Sequence, residues 1–263
     1  MRLIIVTLVL LILTSCQNSG NKAGIDNNSE FMCGAIVRGD LSEKSISLVF
    51  TGDEFADGGM HIVTVLKSQH VHGSFFLTGK FYRNRAFEPL IRTLVSEGHY
   101  LGAHSDQHLL YCAWENRDSL LVCREEFQLD LENNYRAMKE FGILKENAPL
   151  FLPPYEWYND TISQWTLSMG LQMINFSPGT LSHVDYTLPG TPEYRSSKVI
   201  YRSILEEEQN SSNGLNGFIL LTHIGTSPER KDKFHETLED LIRELKSRGY
   251  EFKRIDDFLL NHL

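Results

Sequence analysis

The sequence predicts a single α/β domain organised around a parallel sheet or barrel. Strand-like and helix-like segments alternate over roughly 220 residues. The strand candidates are short apolar runs, several of them followed by polar clusters, as buried parallel strands require. There is neither an internal repeat nor a second linker to divide the chain.

Ile46-Ser47-Leu48-Val49-Phe50 is the first strand of this series, and Gly73 to Thr78 the second. The stretch around His61 to Lys67 between them suits a helix. Phe87, Leu90, Ile91, Leu94 and Val95 follow helical spacing, and Gly98 ends that run. Tyr100 to Ala103 is a short strand. The clearest helix spans 118–141, where Phe127, Leu131, Tyr135, Met138 and Phe141 form one apolar stripe before Gly142. Strands are expected at 150–152, 171–176 and 217–222. Phe234, Leu238, Leu241, Ile242 and Leu245 then form an amphipathic helix before Gly249, and 250–255 offers a last strand.

The N-terminus carries a different signal. Arg2 precedes an apolar run from Leu3 to Leu13, too short to span a bilayer and followed by Thr14-Ser15-Cys16. This is the form of a secretion signal, and Leu13-Thr14-Ser15-Cys16 resembles a bacterial lipobox. The expected organisation is a signal over 1–16 with lipidated Cys16, a flexible tether over 17–40, and a folded domain over 41–263. Such a protein is exported and held on a bacterial membrane, at the periplasm or the cell surface. Gln17 to Glu30, rich in Asn, Ser and Gly, fits the tether.

The 263 residues include 41% hydrophobic and 22% charged residues, enough to build a substantial core. A net charge of −9 argues against nucleic acid as a partner, because phosphate needs a basic face. Cys33, Cys112 and Cys123 remain after Cys16. An odd count leaves at least one free thiol, spacing alone does not decide whether Cys112 and Cys123 pair, and no CxxC motif supports a thiolate zinc site.

Ligands and catalytic groups on such folds collect at the C-terminal ends of strands. Thr51-Gly52-Asp53-Glu54, His104-Ser105-Asp106-Gln107-His108, Pro153-Pro154-Tyr155, Asp185-Tyr186 and Thr222-His223 all follow strand candidates. His104 and His108, four apart, can reach one metal ion, and a carboxylate from Asp53-Glu54 completes a common zinc set. Such an ion polarises a carbonyl, while a base and an acid move protons.

The order of these clusters resembles the polysaccharide deacetylases, the family 4 carbohydrate esterases with a NodB-type homology domain. The resemblance runs from about Ser45 to Ile255. Thr51-Gly52-Asp53-Glu54-Phe55 matches the family's Thr-Phe-Asp-Asp-Gly, Gly73-Ser74-Phe75-Phe76 its Ala-Thr-Phe-Phe, and His104-Ser105-Asp106-Gln107-His108 its His-Ser/Thr-x-x-His. Leu152-Pro153-Pro154-Tyr155 matches Arg-Pro-Pro-Tyr, and Leu221-Thr222-His223 matches Leu-x-His.

The resemblance implies a distorted (β/α) barrel and a metal-dependent carbohydrate deacetylase acting on amide or ester bonds of an acetylated glycan. It implies Asp53 as catalytic base, Glu54, His104 and His108 as metal ligands, His223 as the acid and Asp185 as its orienting partner. Zn2+ is the first choice, with Co2+, Ni2+ or Fe2+ also suited. Pro154, Tyr155, Trp157 and Leu221 would wall the acetyl pocket, and the Tyr155 amide could serve the oxyanion. Trp114, Trp157 and Tyr158 could stack on sugar rings or sit in the core.

Several positions depart from the pattern. Glu54 adds a methylene where Asp is usual, so Asp53 could be the ligand instead. An alignment through Asp57-Gly58 is the other option for the first motif. Leu152 replaces an Arg that supports the base, and Tyr186 stands where Trp is usual. These changes leave a second reading open, a glycan-binding lipoprotein of the same fold with altered or lost chemistry. A third is hydrolysis of a different amide.

Overall fold

In the computed structural model, residues 28–260 are described. The expected signal segment, Cys16 and residues 17–27 of the expected tether lie outside the described residues. No helix among the described residues is long and apolar enough to cross a membrane.

The chain runs β1 (Glu30–Met32), β2 (Ala35–Arg38), β3 (Ser45–Gly52), α1 (Gly59–Ser68), β4 (Ser74–Leu77), α2 (Gly79–Arg83), α3 (Glu88–Ser96) and β5 (Tyr100–Ala103). It continues through α4 (Arg124–Lys139), β6 (Leu150–Phe151), α5 (Asp160–Ser168), β7 (Gln172–Met173) and α6 (Ser197–Asn210). The last elements are β8 (Phe218–His223), α7 (Leu238–Ser247), β9 (Glu251–Phe252) and α8 (Ile255–Leu259).

The strand order is β1-β2-β8-β3-β4-β5-β6-β7, with β9 added beside β3. Pairings from β8 through β7 are parallel, and only β1–β2 and β2–β8 are antiparallel. The two ends meet. A bridge joins Ile36 of β2 to Ile174 just past β7, and Asn175 N–H donates to the Ile36 carbonyl at 2.8 Å. The sheet therefore curls into a distorted barrel, the architecture expected from the sequence.

β3 and β4 are buried along their whole length, and β8 up to His223, which accounts for their nearly unbroken apolar runs. Helices pack outside. Leu238, Leu241, Ile242 and Leu245 form the buried stripe of α7, and Phe127, Leu131, Tyr135 and Met138 that of α4. The α4 stripe is as expected, but the helix starts at Arg124, not 118. Residues 109–123 form a loop pinned by a Cys112–Leu120 bridge.

The expected start of the domain at residue 41 is corrected. Ala35 and Ile36 have no exposed surface, and β2 closes the barrel, so the folded domain includes at least 30–40 of the expected tether. Cys33, Cys112 and Cys123 are all free; Cys112 is buried and Cys123 exposed. The last expected strand is only two residues long, because α8 takes over at Ile255.

His99, buried behind β4 and β5, makes a testable contribution to stability. Gly73 N–H donates to its Nδ1 at 3.1 Å, which fixes a neutral ring. Burial, helped by His72, lowers its pKa to about 4. The unfolded chain takes up this proton near pH 6.5, so stability is intact above that and is lost as the pH falls toward 4. At full protonation the loss from this group is on the order of 3 kcal/mol. A urea midpoint that falls between neutral pH and about pH 4, with an NMR titration in which this imidazole stays neutral through the usual histidine range and protonates only as the pH nears 4, is the expected result.

Candidate active site

The sheet register itself assembles the site. Thr51 is level with His223 and Phe76, Leu77 with Ala103, and Ala103 with Phe151. The residues at and just beyond these ends are Asp53, Thr78, His104, Leu152 and His223, on one rim of the barrel. A cavity of about 580 Å³ opens there, lined by Asp53, Glu54, His104, His108, Tyr155 and His223 among others.

His104 is 2% exposed. Its Nδ1 lies 2.8 Å from the Leu152 carbonyl, which can only accept. Nδ1 therefore carries the proton and Nε2 keeps its lone pair. Burial, then His108 and His223, push its pKa well below the usual imidazole value. The His108 ring lies 5.1 Å from that of His104, and its pKa falls to about 4, chiefly through burial. Two neutral imidazoles side by side are the donor set a divalent metal takes.

The loop between them is built by α4. Asp130, 5% exposed, accepts from Ser105 Oγ at 2.6 Å, Asp106 N at 3.1 Å, Gln107 N at 2.9 Å and Tyr111 Oη at 3.0 Å. One turn on, Asn134 Oδ1 accepts from His104 N at 2.8 Å and its amide donates to the Leu77 carbonyl at 3.2 Å. Ser105 and His108 adopt positive φ of 72° and 57°. Gly79 permits the close approach of α2, since a Cβ there would lie 1.8 Å from Asp106 Oδ1. Sequence reasoning missed Asp130 and Asn134. Their signal was two polar residues set into the apolar stripe of α4.

Asp53 lines the cavity, and its charge reaches His108. Leu152 replaces the Arg that supports the base in the family, so Asp53 lacks that partner. Instead Lys80 Nζ lies 3.2 Å from Oδ2 and Thr78 Oγ1 donates to Oδ1 at 2.9 Å. Helix α2, unanticipated from sequence, delivers this cation from the neighbouring strand end.

Glu54, implied as a metal ligand, lines the same cavity as Asp53, His104 and His108. Its side chain is exposed on the ridge between the main cavity and a second, more apolar one of about 550 Å³. Among the described residues no three His, Cys, Asp or Glu side chains converge as a metal site. The imidazole pair fits a metal, and Asp53 is the carboxylate facing it. The Asp57-Gly58 alternative is not supported. Asp57 pairs with Lys233 at 2.8 Å and accepts from Thr226 N at 2.7 Å beside the second cavity.

His223 faces the pair from β8. Asp185 Oδ1 lies 2.6 Å from its Nδ1, and Oδ2 accepts from its backbone N–H at 3.1 Å. Burial acts to lower its pKa, but Asp185 outweighs this and raises it. The 185–195 segment is in turn tied down by Arg230. This guanidinium has no exposed surface and donates to the carbonyls of Thr187, Arg195 and Asp232 at 2.6–2.8 Å.

Of the residues expected to wall the pocket, only Tyr155 does so; its ring stands 4.4 Å from that of His108. Opposite it, Tyr186 stands 4.8 Å from His223. Leu221 is fully buried one layer beneath His223 on the same face of β8, and Pro154 is buried in the turn. Trp157 faces away, with Nε1 donating to the Ala113 carbonyl at 3.2 Å and the Arg117 guanidinium 3.8 Å above its ring. Tyr158 is a core residue, whereas Trp114 is 53% exposed against Tyr155 and Trp157.

A curled sheet with its polar groups gathered on the C-terminal rim defines a barrel-type α/β scaffold with one candidate site on that rim, and comparison with known proteins specifies its family. Residues 38–174 match the polysaccharide deacetylase family, and the chain belongs to that family. It is 26% identical over 226 residues to the peptidoglycan-N-acetylmuramic acid deacetylase PdaA of Bacillus subtilis, covering 86% of this chain and 75% of the relative. It is 23% identical over 219 residues to a peptidoglycan-N-acetylglucosamine deacetylase of Bacillus cereus, covering 83% and 89%. The solved structure of Bacillus subtilis PdaA, a family 4 carbohydrate esterase, superposes with a TM-score of 0.67 at 25% identity, over 86% of this chain and 85% of that one. A family 4 pseudoenzyme from Bacillus anthracis shares the fold at the same TM-score and 18% identity, over 87% and 69%.

Proposed function

We propose that this protein is a metal-dependent deacetylase that removes N- or O-acetyl groups from a glycan, exported and held on a bacterial membrane by a lipid on Cys16. The observation that carries the reading is the convergence of His104, His108 and His223 on one cavity. Asp53 stands beside the first pair and Asp185 behind the third.

His104 and His108 would hold the metal, with Asp53 or a re-aimed Glu54 beside them. Zn2+ suits this set best, and Co2+, Ni2+ or Fe2+ also fit. When bound, the metal supplies Lewis-acid polarisation of the acetyl carbonyl. The remaining work falls to the chain. Asp53, oriented by Lys80 and Thr78, accepts a proton from the attacking water. His223, whose pKa Asp185 raises, gives a proton to the departing amine or sugar oxygen. The Tyr155 amide, at a turn with φ of 58°, is the donor for the oxyanion. Tyr155 and Tyr186 flank the opening as surfaces for a sugar ring.

The second reading is a glycan-binding protein that kept the fold without the reaction. The exposed position of Glu54 favours it. Metal content of the purified protein, measured beside acetate release from acetylated glycans with and without chelator, decides between them. The deacetylase reading expects about one metal per chain and chelator-sensitive acetate release. A metal-free protein that releases no acetate after zinc is supplied leaves the binding reading.

A further inference from the structure

Glu156 is a titratable cavity residue that the reaction above does not use. It follows Tyr155 in the turn after β6, and both hold left-handed backbone, with φ of 58° and 54°. For residues with a Cβ this conformation is disfavoured and persists only where the surroundings enforce it. Here Glu156 N–H donates to the Pro153 carbonyl at 3.1 Å, and its own carbonyl accepts from Asn175 Nδ2 at 2.9 Å. The backbone would be held equally well with glycine, so the carboxyl is not there to make the turn.

That carboxyl faces the cavity in electrostatic reach of His223 and Asp185, and burial raises its pKa to about 7. Its side chain has no hydrogen bond or ion pair with other described residues. The rest of the lining has a matching bias. Asp53, Glu54, Glu156 and Glu193 line the cavity, and no Lys or Arg does. Lys80 approaches Asp53 from outside this lining. A substrate carboxylate on the sugar ring would meet these like charges with no Lys or Arg to pair with, since His223 and the metal site are engaged by the scissile acetyl group, whereas a hydroxyl or amide N–H would find a free acceptor.

We propose that Glu156 contacts the sugar directly through a hydroxyl or amide N–H and, with the acidic lining around it, restricts this cavity to acetylated sugars that carry no carboxylate. The inference rests on the deacetylase reading for its substrate class.

The test compares three acetylated oligosaccharides: a neutral N-acetylglucosamine oligomer, a matched oligomer bearing a carboxylate, and the latter reduced at that carboxylate to the alcohol. Acetate release is followed with the metal-loaded protein at a pH where Glu156 is ionised. The neutral and reduced oligomers are expected to react alike, and the carboxylate-bearing one about tenfold more slowly or worse. Glu156→Gln, which keeps an acceptor oxygen but loses the charge, should shrink that gap several-fold, with the neutral oligomer as the internal reference for any change in KM common to all three. Glu156→Gly should raise Tm by about 2–4 °C through relief of the backbone yet raise KM for the neutral oligomer. Equal or faster reaction of the carboxylate-bearing oligomer, or a Glu156→Gln variant with an unchanged ratio, overturns the proposal. If none of the three releases acetate, the deacetylase reading has failed by itself. Equilibrium binding of the same three sugars then reads the selectivity alone, and equal or tighter binding of the charged one overturns it.

Discussion

Asp185→Asn is expected to lower kcat for acetate release by about 10²–10⁴-fold with little change in KM. Asp185 does not line the cavity, so substrate binding is not its business. Its two oxygens hold His223 at both the ring Nδ1 and the backbone N–H, and its charge keeps the imidazolium above its usual pKa. An amide retains the shape but loses the charge. His223 then releases its proton at lower pH, so the alkaline limb of the rate profile moves down. A variant with wild-type kcat and an unmoved limb would remove His223 from the role of proton donor. A fall in kcat without any shift would mean that Asp185 acts through geometry alone.

Asp130→Ala is expected to be the most damaging single change to the fold near the site. Four donors converge on this buried carboxylate, two of them backbone amides of the His104–His108 loop. Stripped of their acceptor, they stay buried or drag the loop into solvent. The cost is about 3–5 kcal/mol, a large share of the roughly 5–15 kcal/mol that stabilises a typical domain. Metal affinity should fall by about 10–100-fold, because the loop that aims both imidazoles is no longer held. Denaturant unfolding and metal competition against a chelator give the two readouts. Asp130→Asn keeps one acceptor and should fall between. An unchanged unfolding midpoint for the alanine variant would show that the loop holds itself.

The parts of this molecule legible in the sequence are those where one local rule decides. The fully buried strands β3, β4 and β8 are plain as apolar runs, and α4 and α7 as stripes. His104, His108 and His223 could be placed on one rim because parallel strands deliver their C-terminal ends together. What escaped notice depends on partners distant in the chain. Nothing local marks Lys80 as the cation for Asp53, a contact set by the β3–β4 register and the onset of α2. Arg230 reads as one more surface charge until its three carbonyl partners are known. Helices α5 and α6 carry mixed faces, and β2 is only four residues long. Glu54 lines the same cavity as Asp53 but is exposed and borders the second cavity as well, a placement that adjacency in sequence does not reveal.

The closing strand β2 has a consequence for how the molecule comes into being. Its partners, Ile174 and Phe218, lie 138 and 180 residues further on (174 − 36 and 218 − 38). During synthesis β2 is among the first folded parts to emerge and among the last to find its neighbours. The β3–β4–β5 core can form while both of its flanks still wait. Contacts this far apart slow folding, because the loop must close before any pairing rewards it. A chain cut at residue 41 would still contain every residue assigned to the chemistry, yet would present β7 and β8 as open edges. Its expected failing is self-association through those edges, with the catalytic groups themselves unaltered.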